Sequence, residues 1–321
     1  MSDRIVVLHT EPDELRAVLQ DRCRDAAALE FVDRPDDVAA ALASTRPDTV
    51  LSIKHSLFPG PAHRPALHWP DTRWFHVGGS GTEHLGTWTP AVTVTNSAGV
   101  LAPFLAEMAM AAMLSLSTGL HRYHRLQQAQ QWAPGRFRPL AGRTLLIVGL
   151  GHVGRALAMR ASALGMTVIG TRRSGAPVPG VAEVHPPEAL HRLLPRADVL
   201  SVHVRLTPET AGMIDREALA RLPRGALLLN SARGPIIVEN DLIQAIEDGL
   251  IGGAWLDVFD HEPLPAGHPL WSLDHVLITP HCADQTEDFA VRFATHFCDL
   301  RDRRRRGHAL PALRSPSPPA R

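Results

Sequence analysis

The chain has 321 residues, 45% hydrophobic and 21% charged, with 33 basic side chains against 33 acidic ones. That length allows two globular domains, and zero net charge with neutral histidines gives no electrostatic basis for binding nucleic acid or a membrane. Three cysteines, Cys23, Cys282 and Cys298, are scattered and form neither a disulfide framework nor a metal-ligand spacing.

Ser2, Asp3 and Arg4 lead directly into an apolar strand with no secretory pattern, so a cytoplasmic protein is expected. Residues 5–8, 29–32, 49–53 and 74–77 read as strands. Residues 15–22 and 36–42 read as helices, with Asp13 and Asp36 at their starts, where negative charge suits the helix dipole. This β-α-β alternation predicts a parallel sheet. The apolar run 100–116 contains Pro103 and Glu107 and is short for a bilayer span, which predicts a buried helix. A polar link over 127–139 carries Trp132.

A second alternating series follows. Strands are expected at 144–148, 167–169, 199–202, 226–230, 253–256 and 276–279, and helices at 153–164 and 239–247. The arginine run 303–306 reads as a solvated helix end, and the Pro/Ser-rich tail 314–321 as disordered. His121 and His124 have a metal-like helical spacing but no third ligand, so no metal is expected.

The strand ending at Val148 runs into Gly149-Leu150-Gly151-His152-Val153-Gly154 and then into a helix. In that context the glycines are a dinucleotide fingerprint. Gly149 permits the tight turn, Gly151 lets a pyrophosphate approach the backbone, and Gly154 lets helix pack on strand. The phosphates then meet the positive helix end at His152 and Val153. The second strand of such a unit usually ends in a carboxylate that accepts from the ribose 2′-hydroxyl. Here residues 141–182 contain no acid, and Thr171, Arg172 and Arg173 stand at that place. Guanidinium forks match a phosphate monoester, so NADP is expected in preference to NAD.

Further on, Arg233, Asp257, Glu262 and His281 all follow predicted strand ends, where open α/β sheets bind ligands. A cation, a carboxylate and a histidine beside a nicotinamide suggest carbonyl reduction. Histidine would protonate the carbonyl oxygen, and arginine would grip an adjoining carboxylate.

With "GGSGTEHL", "NSAGVLAPFLAEM", "LLIVGLGHVGRALA", "SVHVRLTPETAGMID", "LLLNSARGPIIVENDLIQAI", "GGAWLDVFDHEPLP" and "HPLWSLDHVLITPH" in this order, the chain resembles the D-isomer-specific 2-hydroxyacid dehydrogenases, glyoxylate/hydroxypyruvate reductases among them. The resemblance spans about residues 74–300. It implies two Rossmann-like parallel-sheet α/β domains. A dinucleotide-binding domain, 99–283, is inserted in a flavodoxin-like substrate domain, 1–98 plus 284–321. It also implies a homodimer formed through the dinucleotide-binding domain.

By the same resemblance, Arg233 binds the substrate carboxylate and carbonyl, His281 is the acid in reduction, and Glu262 favours the charged form of His281. Ser80 and Gly81 match the loop whose backbone N–H groups take the substrate carboxylate. Asp257 matches the acid that holds the nicotinamide carboxamide, and His203, Ser231 and Ala283 fall on cofactor-lining positions. Arg205 departs from the usual proline of a "PLT" turn and adds positive charge near the adenosine. Ala102 stands where a threonine is common, which removes one cofactor hydrogen bond. The activity so implied is reduction of a short 2-oxo acid, such as glyoxylate or hydroxypyruvate, to the D-2-hydroxy acid. A non-catalytic, cofactor-sensing co-repressor on the same fold is the alternative. The loops 54–61 and 79–84 are expected to shape the substrate pocket.

Overall fold

The computed structural model describes residues 3–10, 12–53, 58–313 and 315. The chain divides into two compact units, Met1–Val100 with Thr286–Arg321, and Leu101–Gln285. Residues 54–57 of the expected pocket loop, and the tail apart from Ser315, lie outside the described residues.

The first unit is built on five parallel strands, β1 (Arg4–Leu8), β2 (Ala28–Val32), β3 (Thr49–Ile53), β4 (Trp74–Gly78) and β5 (Thr93–Asn96), in the order β2-β1-β3-β4-β5. Central strands read as unbroken apolar runs because helices cover both faces; Ile5, Val6, Val7, Val50, Leu51 and Phe75 are fully buried. Trp74 stacks on Phe297 of the helix Phe289–Arg305 at 4.9 Å. That helix also carries Arg301, which is 1% exposed and neutralised by Asp3 and Asp25. Cys23 and Cys298, far apart in sequence, lie with their sulfurs 3.9 Å apart as free thiols.

The second unit has seven parallel strands: β6 (Thr144–Val148), β7 (Thr167–Thr171), β8 (Glu183–His185), β9 (Val199–Val202), β10 (Ala226–Asn230), β11 (Ile251–Leu256) and β12 (Val276–Ile278). Their order is β12-β11-β10-β9-β6-β7-β8. The order reverses at β6/β9, the point where doubly wound sheets open a crevice for ligands. The apolar run at 100–116 forms the helix Ala102–Thr118. Ala106, Ala109 and Met113 are fully buried along one face and join a core with Ile147, Leu157 and Ala158. Gly119, at φ 76, caps it, and the helix Leu120–Gln128 leaves at 68°. Among the described residues no single helix is long and apolar enough to cross a membrane.

The strands were placed to within a few residues, except β5 and β8. These are short edge strands, TVTN and EVH, whose polar residues leave no apolar run of the kind that marks the others.

Candidate active site and dinucleotide cradle

The glycine turn follows β6. Gly149 has φ +101, and a Cβ there would lie 2.7 Å from the carbonyl oxygen of His203, just beyond β9. A Cβ on Gly154 would lie 2.3 Å from the Gly149 oxygen, whereas one on Gly151 would meet open space. Gly149 and Gly154 are therefore demanded by the fold, and Gly151 leaves a free backbone approach at the mouth of the helix His152–Ala163. The first-turn amides of that helix, His152, Val153 and Gly154 among them, have no acceptor within the helix, which leaves donors for an anion.

Thr171 ends β7 and ties it to this turn. Its hydroxyl accepts from Gly149 N at 3.2 Å and its carbonyl from Leu150 N at 2.9 Å. Arg172 and Arg173 follow at once, Arg173 exposed and Arg172 half-buried. The first carboxylate beyond them, Glu183, is engaged elsewhere. Both of its oxygens bond Arg196, and one also bonds His185. Arg196 and then His185 hold the Glu183 carboxyl down at about 2. Beyond β7 the chain thus presents Arg172 and Arg173, with the next carboxylate already engaged.

His203 has its ring nitrogen Nε2 2.8 Å from Ser201 Oγ, and burial pushes the imidazole down to about 4, so it is neutral. Arg205 is exposed in the following loop. Ser231 Oγ, just beyond β10, is buried with no hydrogen-bond partner among the described residues. An orphaned buried hydroxyl and a glycine-lined opening fit a bound dinucleotide.

The chemistry-bearing groups leave the C-terminal ends of the three neighbouring strands β10, β11 and β12. Beyond β10, Asn230 folds its side chain over the next turn: Nδ2 donates to Arg233 O and Oδ1 accepts from Ala232 N, both at 3.0 Å. Arg233 Nη1 donates to Ala232 O at 2.6 Å. A Cβ on Gly234 would fall 2.1 Å from the backbone of Phe259, so the Arg233 turn is pressed against the loop that carries Glu262.

Asp257, beyond β11, is 2% exposed. Its Oδ1 accepts from Thr279 Oγ1 at 2.5 Å, Cys282 N at 3.0 Å and Ala283 N at 3.2 Å; Oδ2 takes only a 3.3 Å bond from Ala283 N. Its carbonyl accepts from His281 N at 2.9 Å. These bonds hold His281 at φ 49, a left-handed conformation that costs a non-glycine residue about 1–3 kcal/mol. In return His281 Nδ1 donates to Glu262 Oε2 at 2.7 Å, while Glu262 Oε1 is fixed by Phe259 N at 3.1 Å. The His281 side chain is 46% exposed, which leaves Nε2 available to a substrate.

Sequence reasoning named Arg233, Asp257, Glu262 and His281 but missed Asn230, Thr279 and Gly234, which position them. The signal was available in part: Asn230 and Thr279 are polar residues at the ends of predicted strands, whereas Gly234 lies in the turn beyond β10. It also missed Asp284, whose carboxyl is pushed up by burial and has His281 and Asp257 as charged neighbours. Ser80 and Gly81 lie in the other unit, after β4. There Asn96 Nδ2 donates to Ser80 O at 2.7 Å. Among the described residues no three His, Cys, Asp or Glu side chains could jointly hold a metal; His121 instead bonds Ser115 O at 3.1 Å.

Residues 110–283 match the model for the NAD binding domain of the D-isomer specific 2-hydroxyacid dehydrogenases. A glyoxylate reductase of Korarchaeum cryptofilum is 34% identical over 232 residues, 69% of this chain and 69% of that protein. The chain belongs to the D-isomer specific 2-hydroxyacid dehydrogenase family. Its members are oxidoreductases that use a nicotinamide dinucleotide, and the glycine turn and the His281–Glu262 pair stand within or next to the matched domain. Among solved structures, a family protein from Aeromonas salmonicida superposes with a TM-score of 0.86 at 28% identity, covering 98% of this chain and 99% of that one. An NADPH-dependent glyoxylate/hydroxypyruvate reductase of Sinorhizobium meliloti, in complex with NADP and sulfate, superposes with a TM-score of 0.80 at 26% identity, over 97% and 98% of the two chains.

Proposed function

We propose that this dehydrogenase reduces a short 2-oxo acid, glyoxylate or hydroxypyruvate being the first candidates, to the D-2-hydroxy acid with NADPH. The observation that carries the reaction type is the 2.7 Å His281–Glu262 contact beside the Arg233 turn. Reduced nicotinamide, when bound, supplies the hydride to the carbonyl carbon. His281 gives a proton from Nε2 to the carbonyl oxygen, and Glu262 fixes the ring and balances its charge. Arg233 pairs with the substrate carboxylate and stabilises negative charge developing on the oxygen. Asp257 would hold the carboxamide of the nicotinamide. Residues 99–283 take the dinucleotide-binding role, with His203, Ser231 and Ala283 lining the cofactor and Arg205 facing the adenosine. Residues 1–98 plus 284–321 take the substrate role, and the backbone N–H groups of Ser80 and Gly81 receive the carboxylate.

The preference for NADPH rests on Arg172 and Arg173 at the end of β7 and on the commitment of Glu183 to Arg196. NADPH is a soluble cellular reductant, which suits a cytoplasmic setting. A homodimer through the dinucleotide-binding domain is supported by Trp132 and Phe137, 97% and 60% exposed in the segment after the helix Leu120–Gln128.

The test is a panel of 2-oxo acids assayed for oxidation of NADPH and of NADH. Turnover of glyoxylate or hydroxypyruvate, faster with NADPH, is expected. No turnover of any 2-oxo acid, with a cofactor-dependent change in oligomeric mass, would favour a cofactor-sensing binding protein instead.

A further inference from the structure

Beneath the loop that carries Ser80 and Gly81 runs a relay of buried polar groups. His76, on β4, has no exposed surface. Its Nδ1 lies 2.7 Å from Thr95 Oγ1 and its Nε2 lies 2.9 Å from Ser97 Oγ. Trp74 Nε1 donates to the same Thr95 hydroxyl at 2.9 Å. An indole N–H can only donate, so Thr95 accepts there and has its own proton to give to His76 Nδ1. With Thr95 donating to Nδ1, the neutral ring carries its hydrogen on Nε2 and donates it to Ser97 Oγ. Burial above all, and then the facing His296, push His76 down to about 3, so the ring is neutral.

The segment gripped in this way sets the loop. Ser97 N donates to Gly79 O at 2.9 Å and to Val77 O at 3.0 Å, and Asn96 Nδ2 donates to Ser80 O. Gly79 sits at φ +124 with nothing around its missing Cβ, so its conformation is imposed by these bonds and not by packing. In a trans peptide the carbonyl and the following N–H point in opposite directions. Drawing the carbonyls of Gly79 and Ser80 toward residues 96–97 therefore turns the N–H groups of Ser80 and Gly81 the other way.

We propose that His76 is a positioning residue for substrate binding: by holding Thr95 and Ser97 it keeps the N–H groups of Ser80 and Gly81 aimed at an anionic substrate group. The inference rests on the proposed function in giving that loop the carboxylate. Nothing on the sequence marked His76, which stands among apolar residues of a strand.

The experiment compares wild type, Ser97→Ala, His76→Phe and His76→Gln in kinetics with glyoxylate and NADPH, and in amide hydrogen exchange. Ser97→Ala keeps the core volume and removes only the last link. The KM for glyoxylate is expected to rise about tenfold in Ser97→Ala and more in His76→Phe, with partial recovery in His76→Gln. The KM for NADPH and kcat should stay within about twofold, because only binding of the acid is weakened. Amides of residues 79–81 should exchange faster, and those of 144–171 should not. Unchanged loop exchange, or a lowered Tm with an unchanged KM for glyoxylate, would overturn the proposal. A wild-type protein inert toward every 2-oxo acid would overturn the functional reading and the carboxylate role with it. Faster loop exchange in Ser97→Ala would then still carry the hold of His76 on the loop.

Discussion

Glu262 reaches His281 at 2.7 Å where Asp257 fixes the backbone around the histidine, its carbonyl accepting from His281 N and its carboxylate from Cys282 N and Ala283 N. Two carboxylates serve one imidazole, one through its ring and the other through its backbone. Replacing His281 with alanine should lower kcat for glyoxylate by about 10²–10⁴-fold, the usual range for a general acid, with a native far-ultraviolet spectrum. Glu262→Gln should lower kcat by less, since an amide can still accept from Nδ1. Steady-state assays of both variants at saturating NADPH check this order.

Arg233→Lys should raise the KM for every 2-oxo acid, because an ammonium cannot reproduce the planar fork that matches a carboxylate. The wild-type protein should strongly prefer pyruvate to acetone, and the variant should lose most of that preference. Equal wild-type turnover of the two would remove Arg233 from the carboxylate.

Arg172→Ala and Arg173→Ala should each weaken NADPH by about 1.5–3 kcal/mol, roughly 10- to 150-fold in KM, the range for a charge-assisted bond. The KM for NADH should hardly move. Titration of binding by nicotinamide fluorescence gives the same comparison without turnover.

Gly234→Ala should disable the enzyme without touching a reacting group. The added methyl would meet the Phe259 backbone at 2.1 Å, so the Arg233 turn and the Glu262 loop must separate. A fall in Tm together with a loss of kcat/KM of at least about tenfold is expected, from a misplacement on the order of an ångström.

The protein should lose stability on acidification in a window set by two histidines. An unfolded histidine titrates near pH 6.5, whereas His76 and His203 are held at about 3 and about 4, both chiefly by burial. Between those limits the unfolded chain binds protons that the folded one refuses, so stability falls with falling pH. Their full contribution is present above about pH 6.5 and is lost progressively below it. His296 and, facing it, Asp299 share the surroundings of His76. Thermal melts from pH 7.5 to 4.5 should show Tm declining, with a shallower slope in His76→Phe.

Much of this architecture could be read from the chain. The apolar runs at β3, β6, β9 and β10 are buried on both faces, and such runs announce parallel strands directly. The glycine spacing after β6 has steric causes visible in the sequence. The 68° bend at Gly119, where one helix gives way to the next, is written in no periodicity, since a single glycine does not end a helix by itself. Asn230, Thr279 and His76 were not legible for another reason. Their partners come from other strands or across a turn, and no periodicity encodes such a pairing. Glu183 is the converse case. It is the first acid after the arginines in the sequence, and only its bonds to Arg196 and His185 reveal that it is spent.

The double attachment of Thr171 to the glycine turn couples two properties that are usually discussed apart. Because Thr171 bonds the glycine turn and leads directly into Arg172 and Arg173, remodelling the end of β7 also disturbs that turn. A substitution at residue 171 removes the hydroxyl that accepts from Gly149 N and keeps the carbonyl that accepts from Leu150 N, so exchanges of coenzyme choice are expected to begin at Arg172 and Arg173 and leave the threonine in place.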